Sequence, residues 1–286
     1  MAFLSFSVFP IIPFGEDVSA QNSPRPGNRR NGFCVTIPEI PRKRGGFRVK
    51  GKVALVTGAT RGIGKAIAKL LAERGLHLGI NGRDEETLRK VGHELEAFGV
   101  KVCLLPGDLS RVDVPERIVK TTAERLGGLD VLINNAGVAL SRSIEETTPE
   151  EWDFQMAVNA RAPFLLSRAA IPYLRRSEVP TIVNIASVVA VKGYVNQGAY
   201  TASKHALLGF TKVLARELHR EGIRVHVISP GGVATDLIPS MRPDIPPETL
   251  IQPEEIAEIV WFLLSHRGNA VIDEVNVRRI SNEPWK

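Results

Sequence analysis

Cysteine is almost missing from this chain of 286 residues: Cys34 and Cys103 are the only two. That excludes a disulfide framework and suits a reducing compartment. No run approaches the roughly 18 apolar residues that a membrane-spanning helix requires, so no membrane partner is expected. The six histidines and two cysteines show no metal-ligand spacing, so no metal is expected. No internal repeat is present. Tyrosine is scarce too, at three residues, which makes the setting of each informative.

A surplus of one charge is also missing from most of the chain. The net charge of +6 invites a nucleic-acid reading, but residues 1–50 alone carry eight Lys/Arg against three Asp/Glu, and the remainder carries 29 against 28. A nucleic-acid binder needs its basic face on the folded body, so that class is set aside. What is present is ordinary: 43% apolar and 24% charged residues, enough for a sizeable core in one or two domains.

Residues 1–50 hold six Pro and five Gly without a sustained period and read as a poorly ordered basic extension. The apolar run Phe3 to Phe14 lacks a charged flank and is broken by Pro10 and Pro13, unlike a secretory signal. Arg29, Arg30, Arg42, Lys43 and Arg44 suit a transit peptide to an organelle such as a plastid, whereas Glu16, Asp17 and Glu39 do not. The alternative, an extended or misassigned start on a cytoplasmic protein, is favoured. Residues 281–286 read as a short tail after a body spanning 51–280.

From Lys52 the texture changes. Val53 to Thr57 is an apolar run fit for a buried strand, and Gly58-Ala59-Thr60-Arg61-Gly62-Ile63-Gly64 leads into Ala66, Ile67, Leu70 and Leu71 at helical spacing. A glycine turn between strand and helix lets the backbone approach a pyrophosphate and aims free N–H groups at it. The next strand, Leu76 to Ile80, ends at Asn81-Gly82-Arg83. An acidic residue about there would bind the ribose hydroxyl of NAD; Arg83, with Arg61 in the glycine turn, suits the 2′-phosphate of NADP instead. Arg83 taken alone also fits a solvent-facing residue ahead of a helix.

Further strands are expected at 102–105, 129–133, 181–187, 223–228 and 270–277, with helices between. Asp108, followed by Leu109, either accepts from an adenine amino group or caps the next helix. Asn134-Asn135-Ala136-Gly137 ends the fourth strand with amides that fix the turn and a glycine that leaves room for a cofactor. Pro149 and Trp152 to Leu166 read as a helix, with Asn159 an unfavourable residue inside it. Pro230-Gly231 through Val233 and Thr235 follow the sixth strand. The span 236–253 has five Pro, too many for regular structure, and reads as a lid. Strands alternating with helices imply an α/β fold: three layers, doubly wound, with a mostly parallel sheet of about seven strands and ligands at the strand C-terminal ends.

Ser187 and Tyr200-Thr201-Ala202-Ser203-Lys204 carry the chemistry. Residues four apart on a helix share a face, so an ammonium at Lys204 stabilises a phenolate at Tyr200. Such a phenol exchanges a proton with a carbonyl or alcohol oxygen that Ser187 also hydrogen-bonds. Tyr-x-x-x-Lys arises by chance about 0.13 times in a chain of this composition, and a serine after a strand is often a plain cap. His205 reads as a packing or surface residue.

Together these segments closely resemble the short-chain dehydrogenase/reductase family over about residues 50–280, an NADP-preferring Rossmann fold. The resemblance rests on Thr57-Gly58-x-x-x-Gly62-x-Gly64, Asn134-Asn135-Ala136-Gly137, Asn159, Ser187, Tyr200-x-x-x-Lys204, and Pro230-Gly231 with Thr235. It implies hydride transfer between a nicotinamide and a carbonyl or alcohol carbon. Tyr200 would be the general acid in reduction, Lys204 would bind the nicotinamide ribose and lower the tyrosine pKa, Ser187 would polarise the carbonyl, and Asn159 would hold a relay water. A homodimer or homotetramer, through the helices of Asn159 and Tyr200, is likewise implied. Many relatives, 3-oxoacyl-acyl-carrier-protein reductases included, follow the last strand with Asp-Gly-Gly. Here the chain reads Asp273-Glu274-Val275-Asn276-Val277-Arg278-Arg279, closer to general carbonyl and alcohol dehydrogenases. A 3-oxoacyl reductase, a sugar or polyol dehydrogenase and a small-ketone reductase stay open, with Val189, Tyr194 and Met241 as substrate-setting residues. The rival class is a catalytically silent NADP-binding sensor on the same fold.

Overall fold

The structure is a computed structural model and describes residues 49–242 and 244–284. The basic extension lies outside these residues, apart from Val49 and Lys50. Val49 is buried in the core, so the folded body takes in the last two residues assigned to that extension.

Seven strands form one parallel sheet in the order β3-β2-β1-β4-β5-β6-β7. They are β1 (Val53–Val56), β2 (His77–Gly82), β3 (Val102–Pro106), β4 (Val131–Asn134), β5 (Thr181–Ile185), β6 (Arg224–Pro230) and β7 (Glu274–Val277). Every adjacent pair is parallel. Parallel strands need crossovers, and the helices that supply them cover both faces, which is why the strands read as continuous apolar runs. Alternation within a strand then divides the core in two. Along β1, Ala54 and Val56 join Ile67, Leu71, Ile256 and Val260 on one face. Val53 and Leu55 join Ile118, Leu166, Leu174 and Leu214 on the other.

The first layer contains α1 (Gly62–Glu73), α2 (Glu85–Glu96) and α8 (Pro253–Ser265); the second contains α3 (Asp113–Leu126), α5 (Ala162–Leu174) and α6 (Gly198–Leu218). Helix α4 (Pro149–Met156) starts at a capping box between Thr148 and Glu151. It runs into α5 through a π turn at Ala157–Arg161. Asn159, the helix-disfavouring residue, sits in that turn, where the widened backbone gives its side chain a place to bond.

Two expectations are corrected. The proline-rich span 236–253 is not without regular structure: it forms α7 (Leu237–Met241) and a 3-10 turn at Pro247–Thr249. Pro239 falls in the first turn of α7, where the missing N–H would have had no helical partner. Met241, Ile245 and Ile251 are buried and anchor the span. The last strand is Glu274–Val277 rather than 270–277, because it is an edge strand with β6 as its one neighbour and its ladder starts at Glu274. Among the described residues no helix is long and apolar enough to cross a membrane, and no group of three or more His, Cys, Asp or Glu could hold a metal ion.

Candidate active site

Sheet order reverses between β1 and β4, and at that crossover the ends of the parallel strands open a crevice. The β1–α1 turn forms one side of it. Gly58 has φ of 64° and Gly62 a φ of 51°, a region L side chains rarely adopt. A Cβ on Gly64 would overlap Gly58 O and Asn135 Nδ2, so only glycine lets α1 start this close to the β4 turn. Asn135 Nδ2 donates to Thr57 O at 2.9 Å and Gly58 O at 3.2 Å. Thr57 Oγ1 in turn accepts from Asn135 N and Ala136 N. The amides thus lock the glycine turn to the end of β4. Helix α1 has no side-chain cap and no acidic residue in its first turn, so its leading N–H groups have no internal acceptor. A phosphate-bearing dinucleotide fits this cradle in geometry and in sign.

The basic residues expected at a 2′-phosphate are arranged differently. Arg61 Nη1 pairs with Asp236 Oδ2 at 2.9 Å, an exposed contact from the glycine turn to the segment leading into α7. A Cβ on Gly62 would meet Thr235 Cγ2 at 2.9 Å, so the two segments also touch through carbon. Arg83 is exposed, at the end of β2. Beside it, Thr60 Cγ2 occupies the space a side chain on Gly82 would need. Asp108 does not cap the next helix, since α3 begins at Asp113 with Val112 as its N-cap and no side-chain bond there; instead Asp108 Oδ1 accepts from Ser110 N at 2.9 Å and closes a turn ahead of the helix. Leu109 has its side chain buried in the core beside α3, leaving only its backbone for a ligand.

The other side of the crevice follows β5 and β6. Ser187, in extended backbone, opens a 3-10 turn at Val188–Ala190 and accepts from Val189 N at 3.4 Å. It is therefore a cap, and its hydroxyl also faces the Tyr200 phenol closely enough to favour the phenolate. Tyr200 lies in the first turn of α6, with Lys204 one turn later; both are buried. Lys204 Nζ donates to Ile185 O at 3.0 Å and stands 5.9 Å from the centre of the Tyr200 ring. The expected depression of the phenol is not present in this state: burial pushes Tyr200 above its usual range, and the Ser187 bond offsets only part of that. Burial also pulls Lys204 down, to about 8. Burial disfavours the charged form of each group, and in this state neither is moved by the charge of the other.

Asn159 is fully buried. Its Oδ1 accepts from Val138 N at 2.8 Å, while Nδ2 donates to Val138 O at 2.7 Å and Ser203 Oγ at 2.9 Å. Ser203 Oγ donates to Tyr200 O. Asn159 Oδ1 and Lys204 Nζ both lie within 3.6 Å of where a Cβ on Gly137 would sit, so these three expected residues converge. Ile63, Pro230, Gly231, Val233 and Thr235 share the cleft that Ser187 and Tyr200 line.

Sequence reasoning missed Ser203, the link between the Asn159 and Tyr200 segments, whose signal was its place one turn from the tyrosine. It also missed the buried amide chain in which Asn134 Nδ2 donates to Asn184 Oδ1 and Asn184 Nδ2 to Thr211 Oγ1. An asparagine interrupting the apolar run of β5 was the available sign.

The short chain dehydrogenase family model matches residues 52–246. An uncharacterised oxidoreductase of Thermotoga maritima is 37% identical over 74% of this chain and 90% of its own length. A 3-oxoacyl-acyl-carrier-protein reductase of Vibrio cholerae is 36% identical, covering 80% of this chain and 96% of that one. An alcohol dehydrogenase of Thermococcus sibiricus, solved with 5-hydroxy-NADP, superimposes with a TM-score of 0.76 at 31% identity, over 82% of this chain and 99% of its own. With the doubly wound sheet and a family match over most of its length, this chain belongs to the short-chain dehydrogenase/reductase family of oxidoreductases.

Proposed function

We propose that the protein is an NADP(H)-dependent dehydrogenase/reductase that interconverts a carbonyl and a secondary alcohol. The observation that carries this is the Ser187 contact with the Tyr200 phenol, beside a buried Lys204 and across the crevice from an uncapped glycine-turn helix. The nicotinamide, when bound, supplies or takes up the hydride. In reduction Tyr200 donates a proton to the carbonyl oxygen, and Ser187 donates a hydrogen bond to the same oxygen. Lys204 has donors beyond its bond to Ile185 O, enough to hold a ribose hydroxyl as well. Asn159 ties the Gly137 turn to α6 through Val138 and Ser203, which keeps Lys204 and Tyr200 in register.

NADP over NAD is supported by Arg83 directly after β2, where the first acidic side chain, Asp84, is committed as the N-cap of α2 to Thr87 N, and by the 5-hydroxy-NADP carried by the Thermococcus relative. Arg61 joins it once released from Asp236. The homo-oligomer reading is supported by half-exposed Trp152, Phe164 and Val213 on α4, α5 and α6.

The test is a turnover screen of purified protein over acyl thioesters, sugars and small ketones, followed by NADPH oxidation, with NADPH binding measured by fluorescence. Reduction with NADPH preferred over NADH is the expected result. NADPH binding with no turnover on any carbonyl would favour the sensor; a higher kcat/KM with NADH would sink the cofactor assignment.

A further inference from the structure

The cleft that contains Ser187 and Tyr200 is lined among the described residues by two arginines, Arg242 and Arg279, and by no carboxylate. The two are committed very differently. Arg242 is forked onto Asp244, Nε to Oδ1 and Nη2 to Oδ2 at 2.7 Å each, and lies 5.4 Å from the centre of the Tyr194 ring. Its charge is matched. Among the described residues Arg279 bonds to neutral acceptors: Nη1 donates to Thr249 Oγ1 at 2.9 Å and Nη2 to Asn282 Oδ1 at 2.8 Å, both part-buried. These bonds orient the guanidinium and, among the described residues, leave it without a carboxylate in bonding reach and with donors to spare. The nearby carboxylate is Asp244, which feels the Arg279 field but is exposed and already held by Arg242.

The placement is built rather than incidental. Arg279 follows β7, and its backbone N lies 3.7 Å from where a Cβ on Gly231 would sit. Its Cδ lies 3.5 Å from the Cβ position of Gly232, at van der Waals distance, so the arginine stem packs alongside this glycine. The side chain thus runs beside the two glycines after β6, and its two hydrogen bonds fix the guanidinium there. A part-buried cation with no counter-charge costs stability unless its partner arrives with a ligand.

We infer that the substrate of this cleft is an anionic carbonyl compound, an oxo acid or a phosphorylated ketone, whose carboxylate or phosphate is held by Arg279 while Ser187 and Tyr200 take the carbonyl. This rests on the carbonyl-reductase reading above and deepens it by naming the substrate class. A planar guanidinium with two fixed bonds presents its remaining donors as a fork, which suits either oxyanion.

The experiment compares matched pairs: an oxo acid with its methyl ester, and a ketone phosphate with its free alcohol. Binding to the Tyr200→Phe protein loaded with NADPH is read by calorimetry, and turnover is read on the wild type. The anion of at least one pair is expected to bind and turn over about 100-fold better than its neutral partner. Arg279→Met should abolish that preference, mainly through KM, with kcat/KM for the neutral member and the affinity for NADPH unchanged; Arg279→Lys should recover part of it. Which pair shows the preference separates carboxylate from phosphate. Equal handling of anion and neutral partner overturns the inference and leaves the reductase intact. So does an Arg279→Met protein, unaltered in Tm, that weakens NADPH instead of substrate. Failure of every carbonyl to turn over defeats the reductase reading, and the calorimetric comparison still decides the anion.

Discussion

The two sides of the crevice use their polar groups in opposite ways. On the β1–β4 side nearly every polar side chain is bonded to backbone: Asn135 to Thr57 O and Gly58 O, Thr57 to Asn135 N and Ala136 N, Asp108 to Ser110 N. These groups hold a shape, and what they leave free is a set of backbone N–H groups at the start of α1. On the β5–β7 side the polar groups keep capacity in reserve. Among the described residues the Tyr200 phenol faces Ser187, Lys204 Nζ bonds one carbonyl, and Arg279 has hydrogen bonds without a carboxylate partner. A bonded, glycine-lined wall suits a dinucleotide. An under-committed wall suits the proposed chemistry and substrate selection, and holding it costs stability.

If that contrast is correct, the largest effect should come from the reserve side and should be kinetic. Tyr200→Phe is expected to lower kcat by about 10²–10⁴-fold in a steady-state assay, with NADPH affinity by fluorescence little changed. The opposite signature is expected across the crevice. Gly64→Ala forces a methyl into Gly58 O and Asn135 Nδ2 and should destabilise the fold by about 3 kcal/mol in urea unfolding while weakening NADPH binding.

Lys204→Met sharpens the comparison, since it should abolish turnover yet raise stability. Burial in the folded protein pulls the Lys204 pKa down to about 8 from its ordinary 10.5, so below pH 8 the folded protein carries a charge whose desolvation destabilises it. Between those two values the unfolded chain binds more protons, and wild-type stability therefore rises with pH there. The variant should be more stable at neutral pH by on the order of 3 kcal/mol, and the gap should close as pH rises from about 8 towards 10.5, read by denaturant titration at each pH. A gap that stays constant would mean that Lys204 is not desolvated. Smaller again, Arg83→Ala should cut the NADPH-over-NADH preference about tenfold in kcat/KM without changing Tm. Smallest is Asp236→Asn, which removes an exposed ion pair: under about 0.5 kcal/mol in stability, with a modest gain in NADPH affinity as Arg61 is freed.

Much of the fold was legible because its signals are local. The apolar runs of β1, β4 and β5, the glycine turn and the stripe of α8 each lie within one stretch of chain, and their alternation implied the parallel sheet. Boundaries were less legible. β2 runs on to Gly82, and β7 begins only at Glu274, because ladder ends depend on a neighbouring strand that period does not reveal. The proline count of 236–253 misled for a related reason: Pro239 stands where a helix tolerates it, and burial of Met241 and Ile245 does the rest.

The sequence by itself determined which residue types stand at each strand end, that Tyr200 and Lys204 share a helical face, and that the folded body is close to neutral. Those follow from spacing and counting. Tertiary structure alone decided that Arg61 faces Asp236, that Asn159 occupies a π turn bonded to Val138 and Ser203, and that Arg279 enters the cleft bonded, among the described residues, to neutral groups. It also decided the sign of the Tyr200 shift. Ion pairing and desolvation depend on groups far apart in the chain, and no local pattern records which of them meet.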